Sequence, residues 1–204
     1  NVVSDIFSLS ALGFIISNFF QIGLCSFDRF TADQPQIRAY PRMRRKHIAG
    51  LAALHLKAQS VSLHIRRGDY LENSEVYGGN CTPEYYEKAI LLMKERFPEA
   101  VFYVFSNDDA WAKEWCEGQE KKYGSRFEAV MGVPEEMGYL DMELMSRCKH
   151  HIVANSSFSW WGAYLNPDKE KCVIAPARWF NNQDCRDIYT KNMIKITADG
   201  ECLS

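Results

Sequence analysis

Val61-Ser62-Leu63-His64-Ile65-Arg66-Arg67-Gly68-Asp69-Tyr70 is the stretch that decides the fold. Val61, Leu63 and Ile65 alternate with Ser62, His64 and Arg66, and exchange at every second position is the period of a β-strand. Gly68 then supplies a turn, and an imidazole, two guanidiniums and a carboxylate crowd together between His64 and Asp69. A strand that ends in charge is where an open α/β sheet places its ligand. Two adjacent arginines there are costly to bury unless an anion meets them, and pyrophosphate is the simplest anion to occupy both. A surface turn whose arginines pair with local acids is the competing reading.

A second stretch shifts the balance. His150-His151-Ile152-Val153-Ala154-Asn155-Ser156-Ser157-Phe158-Ser159-Trp160-Trp161-Gly162-Ala163-Tyr164-Leu165 reads as strand, small polar turn and helix. Asn155, Ser156 and Ser157 fall where a new helix exposes its unpaired N–H groups and the positive end of its dipole. Such a turn binds phosphate without further charge, although plain N-capping by Asn or Ser uses the same residues. Two arginines on another strand of the same sheet make a shared diphosphate cradle the better reading.

The rest of the chain supplies the scaffold. Thr82 caps a helix with Pro83 in its first turn, running to about Arg96. Val101–Phe105 is a buried strand, and Ser106-Asn107-Asp108-Asp109 leads into a helix carrying Trp111 and Trp115. Phe127–Met131 is a third strand, Met137–Cys148 a helix, His151–Ala154 a fourth strand and Phe158–Leu165 a helix. Cys172–Ala175 is a fifth strand ending at Pro176, and Met193–Ile196 a sixth. Strands alternating with helices predict an α/β fold with a doubly wound, Rossmann-like parallel sheet.

Composition bounds the partners. The 204 residues carry a net charge of −2, so no general field attracts nucleic acid, and any phosphate site must be local. The seven cysteines are scattered without metal-ligand spacing, which suits free thiols in a reducing compartment and no metal site. Leu12–Leu24 is apolar but interrupted by Ser17, Asn18 and Gln21, too short to span a bilayer and unlike a signal peptide. It reads as a buried or partner-facing segment. Arg42, Arg44, Arg45 and Lys46 form a basic cluster, either a solvated helix face or a contact for phosphate or acidic lipid.

His64-Ile65-Arg66-Arg67-Gly68-Asp69-Tyr70 resembles the H-x-R-R-G-D-Y motif of the alpha-1,2-fucosyltransferases, enzymes that use GDP-fucose. Phe105-Ser106-Asn107-Asp108 is similar to their F-S-x-D segment, and Asn155 through Leu165 resembles the N-S-[ST]-[FY]-S-W-W-[AG]-A-Y-L stretch of the bacterial members. Pro176 through Trp179-Phe180 resembles their P-x-x-W motif. The motifs occur in the family's order and cover 61–196. The resemblance implies the C-terminal, donor-binding half of a GT-B glycosyltransferase, inversion at the fucose carbon, and no metal or other cofactor beyond GDP-fucose as donor substrate.

On that resemblance residues 59–198 are the nucleotide-sugar-binding domain, 1–58 a truncated or diverged front lacking the family's glycine-rich start, and 199–204 a tail. Arg66 matches the arginine that holds the β-phosphate, with Arg67 in support. The Asn155-Ser156-Ser157-Phe158 turn would add N–H donors. His64 would face the nucleotide, or be a satisfied core histidine. Asn107 and Asp108 would meet guanine or ribose, or simply cap a helix. Asp69 is the nominated general base, with Glu72 and Glu75 as runners-up, and its other role is to hold an arginine in place. Trp160 and Trp161 could form a sugar platform, but packing is preferred. The implied partners are a nucleotide-sugar donor and a glycan acceptor, in a bacterial cytoplasm with peripheral contact at the inner membrane face as an option. An inactive GDP-sugar-binding fragment is the alternative, and nothing in the sequence sets the oligomeric state.

Overall fold

A computed structural model describes residues 59–67, 75, 79–133, 138–182 and 184–203. Among these a seven-stranded sheet runs in the order β3-β2-β1-β4-β5-β6-β7. The strands are β1 (Ser60–Ile65), β2 (Val101–Ser106), β3 (Arg126–Ala129), β4 (His150–Ile152), β5 (Val173–Pro176), β6 (Met193–Ile196) and β7 (Cys202–Leu203). Pairings among β1 to β6 are parallel, and β7 adds an antiparallel edge to β6. The sequence carries no signal for β7, which lies in the stretch read as a tail.

The helices are α1 (Pro83–Arg96), α2 (Asp109–Tyr123), α3 (Tyr139–Arg147) and α4 (Ser157–Leu165), with a short 3₁₀ turn at Arg186–Ile188. α1 begins as the sequence predicts: the Thr82 hydroxyl accepts from the Tyr85 amide at 3.1 Å, and Pro83 fills the first position, where no N–H is needed. α2 is capped by Asp108, which accepts from the Trp111 amide at 3.1 Å, and ends at Gly124 in the left-handed region.

Helices cover both faces of the sheet. On one, Val61, Leu63 and Ile65 join Phe102, Val104, Ile152 and Ile174 against residues of α1 and α2. On the other, Tyr103 and Phe105 pack on α3, while Val153, Val173 and Ala175 pack with Trp160 and Ala163 of α4. α3 and α4 cross closely at Gly162, where an added Cβ would lie 2.8 Å from the Met145 Cβ. Overpacking of that kind costs about 1–3 kcal/mol. Because both faces are covered, the polar set of β1 (Ser60, Ser62, His64) is as buried as the apolar one.

Several boundaries move from the sequence reading, most of them by one or two residues. The fourth strand starts at His150 and ends at Ile152, because a turn closed by the Ser156 amide on the Ala154 carbonyl, 2.7 Å away, already begins there. The third strand ends at Ala129 rather than Met131. Leu12–Leu24, the basic cluster at Arg42–Lys46, and the whole of 1–58 lie outside the described residues.

Candidate donor-binding site

The sheet order reverses direction between β1 and β4, and in an open α/β sheet the crevice at such a reversal binds the ligand. Leu63 pairs with Ile152, so Arg66 and Asn155, each three residues further on, leave the sheet side by side. The other neighbour of β1 is β2, where Ile65 pairs with Ser106, bringing Asn107 and Asp108 next to the arginines. Three separately read motifs therefore meet at one edge.

Two tyrosines of α1 tie these strand ends down. The Tyr85 hydroxyl donates to the Val153 carbonyl at 2.6 Å, and the Tyr86 hydroxyl to the His64 carbonyl at 3.0 Å. Sequence reasoning missed both residues, since apolar-face tyrosines on a helix look like ordinary core. The bulky ends also touch directly: the His64 ring lies 5.7 Å from that of Phe158 at the start of α4.

The turn before α4 is held from its flanks. Asn155 is buried, its Nδ2 donating to the Trp179 carbonyl at 3.1 Å and its Oδ1 accepting from the Cys81 thiol at 3.4 Å. Burial pushes that thiol up to about 12, so it stays protonated and remains a donor. Asn155 is thus a brace for the turn. Ser156 occupies the N-cap position with extended backbone but makes no side-chain cap, which removes the plain N-capping reading for that hydroxyl. The first N–H groups of α4, around half-buried Ser157 and Phe158, point from the helix end without a side-chain cap.

The two arginines are set apart by their surroundings. The Arg67 amide donates to Asn107 Oδ1 at 2.9 Å, and Asn107 Nδ2 donates back to the Arg67 carbonyl at 3.2 Å. Its guanidinium lies 4.2 Å from the centre of the Trp111 ring, with Nε 3.6 Å from the Asp108 carboxylate. Asn107 and Asp108 are therefore occupied with Arg67 and the α2 cap. Trp111, noted in the sequence only as a helix residue, belongs to this arrangement. Arg66 is half-buried at the β1–β4 crevice itself.

His64 is 4% exposed, and its Nδ1 has no hydrogen-bond partner among the described residues, so within them it is not a satisfied core histidine. Burial first, and the charge of Arg66 second, lower it to about 3, which keeps the imidazole neutral at ordinary pH. Trp160 is 7% exposed and donates from Nε1 to the Ile188 carbonyl at 2.8 Å, a packed core residue as preferred above. Asp69, Glu72 and Gly68 fall outside the described residues. Glu75 is exposed, with its carbonyl accepting from Asn181 Nδ2 at 3.2 Å.

The profile of Glycosyl transferase family 11 matches residues 17–197. The chain belongs to this family. Its match extends upstream of the four motifs, through much of the front segment that the sequence alone left unaligned. An Escherichia coli alpha-1,2-colitosyltransferase is 46% identical over 127 residues, which are 61% of this chain and 42% of that protein. The Escherichia coli O-antigen biosynthesis glycosyltransferase WbnK is 42% identical over 144 residues, 70% of this chain and 43% of its own. A galactoside alpha-(1,2)-fucosyltransferase 2 from Rattus norvegicus is 32% identical over 107 residues, covering 52% and 29%. The chain thus spans less than half the length of the bacterial relatives it matches. Among the described residues no helix is long and apolar enough to cross a membrane, and no three His, Cys, Asp or Glu side chains cluster to hold a metal ion.

Proposed function

We propose that this chain binds the GDP moiety of GDP-fucose and, with an acceptor in place, transfers L-fucose with inversion to the 2-hydroxyl of a galactose-type sugar. The observation that carries the reading is the adjacency of Arg66 and the uncapped start of α4 at the strand-order reversal of a family 11 sheet. In the transfer, the acceptor oxygen forms a bond to the anomeric carbon as the bond to the β-phosphate oxygen breaks. The leaving GDP keeps the electron pair, and the hydroxyl proton passes to a carboxylate, for which Asp69 is the nominee. Negative charge grows on the diphosphate, where preorganised donors contribute most. The Arg66 fork and the N–H groups near Ser157 supply that stabilisation without a metal ion. Neutral His64 borders the same crevice, and Arg67 braces it from the α2 side. Action in the cytoplasm, at the inner face of the membrane, completes the reading.

The test is calorimetric titration with GDP alongside a transfer assay using GDP-fucose and β-galactosides. Arg66→Ala should weaken GDP binding by about a hundredfold, the value of a strong charge-assisted interaction, and abolish turnover with the far-ultraviolet circular dichroism unchanged. Undiminished binding in that variant would remove Arg66 from the phosphate site. GDP binding without detectable transfer would select a donor-binding unit that needs further chain for activity. The relative named for colitose transfer favours a second reading in which the sugar on the donor differs, and competition between GDP-fucose and GDP-colitose separates the two.

A further inference from the structure

A cavity of about 440 Å³ opens beyond the C-terminal end of β5, between the loop from Ala177 to Asn182 and the segment from Asp184 to Tyr189. Ala177–Phe180 of the Pro176–Phe180 motif form one of its walls, and the motif meets the donor site described above through the Trp179 carbonyl. Phe180 and Tyr189 contribute aromatic rings, and Asn182 an exposed amide. At the rim, Asp184 Oδ2 lies 2.6 Å from both Nε and Nη2 of Arg186.

The walls are built rather than loose. Trp179 is 7% exposed, and its carbonyl receives the Asn155 side chain of the β4–α4 turn. The Tyr189 hydroxyl donates to the Pro176 carbonyl at 2.8 Å, and the Ile188 carbonyl is held by the Trp160 indole. The cavity therefore shares a brace with the donor crevice and opens at the same end of the sheet.

Its chemistry selects among ligands. The Asp184 carboxylate engages two nitrogens of Arg186 and disfavours an anionic ligand, while Arg178 lines the same cavity as a further hydrogen-bond donor. A carboxylate and a guanidinium side by side, with the Asn182 amide in the same lining, offer the acceptors and donors that sugar hydroxyls take up. The aromatic rings suit the apolar face of a sugar, and the volume lies in the range of small-ligand pockets. We propose that this cavity is a saccharide subsite that holds a neutral ring of the acceptor next to the donor crevice. The assignment to an acceptor rests on the donor reading above.

Saturation-transfer NMR on the whole chain with lactose as probe tests the subsite, with GDP titrated in parallel. The galactose-ring protons should receive saturation. Asp184→Ala should weaken lactose binding about tenfold through the lost charged hydrogen bond, and Asn182→Trp should abolish it by filling the mouth. Both positions are exposed, so thermal midpoints and GDP affinity should stay at the wild-type values. Lactose that receives no saturation, lactose binding equal in all three proteins, or saturation of guanosine in place of lactose would each overturn the proposal. A wild-type chain that takes lactose but not GDP would confirm the cavity and sink the donor reading instead.

Discussion

The seam between β1 and β4 is polar at both ends, yet the two ends are built on opposite terms. Near the strand starts, the Ser60 hydroxyl accepts from the Lys149 amide at 3.0 Å, and Ser62 meets His151 Nδ1 at 2.8 Å. His151 Nε2 lies 2.8 Å from Asn166 Nδ2, which also donates to the Cys148 carbonyl at 2.7 Å, while Asn166 Oδ1 accepts from the Asp168 amide at 2.8 Å. The Asn166 amide is thereby oriented, so Nε2 of His151 accepts and its Nδ1–H donates to Ser62. At the other end His64 is equally buried with an Nδ1 unpartnered among the described residues, and the adjoining helix start has no side-chain cap. Polar groups satisfied by one another specify packing, whereas polar groups left over at a strand end are what a ligand can use.

Acid tests both ends at once and carries the largest effect. Burial, aided by Lys171 and then His150, lowers His151 to about 3, and burial, with Lys149 adding and Asp168 opposing, lowers His150 to about 4. With His64 at about 3, three imidazoles stay neutral in the fold but charge in the unfolded chain below its ordinary value of 6.5. Stability is therefore complete above that pH and falls as pH drops toward 4. The slope approaches about 1.4 kcal/mol per pH unit for each imidazole, measurable as a shift in urea midpoint between pH 7 and 5. A flat midpoint across that window would mean the histidines protonate in the folded state.

Substitution separates the ends. His151→Phe strips Ser62 and Asn166 of a partner and should cost about 1–3 kcal/mol in urea unfolding, with GDP affinity unchanged in the folded fraction. His64→Phe removes no side-chain hydrogen bond through Nδ1 and keeps the ring contact with Phe158, so its stability change should stay within about 1 kcal/mol. Equal losses in the two variants would erase the distinction between a packing end and a ligand end.

Much of this was legible in the chain itself. Alternation in β1, the Thr82 cap and the Pro83 start of α1 are local signals, and the parallel α/β sheet followed from their order. The meeting of Arg66 with the Asn155–Phe158 turn was inferred from motif chemistry and depends on the strand order, which periodicity does not encode. Side-chain roles set by tertiary contact were hidden. Asn155 read as a ligand residue, but Trp179 and Cys81, distant in sequence, make it a brace. The β7 edge strand is two residues long, below any periodic signal. Asp69, nominated as general base because it is the carboxylate nearest the arginine pair in sequence, lies outside the described residues.

The smallest expected effect probes how the arginine pair divides its work. Arg67 is gripped by Asn107 through its backbone, by Asp108 through charge and by Trp111 through its ring, all on the side of β2 and α2. A guanidinium so engaged positions the β1 turn, and in the proposed donor site the diphosphate falls to Arg66. Trp111→Leu keeps an apolar side chain against the core beside Trp115 but removes the ring face. An exposed cation–π contact contributes about 0.5–1 kcal/mol, so GDP affinity should fall only about two- to fivefold, and Trp111→Phe should restore most of it. A hundredfold loss in Trp111→Leu, matching that expected for Arg66→Ala, would make Arg67 a direct ligand and turn its present contacts into a resting position that GDP must displace.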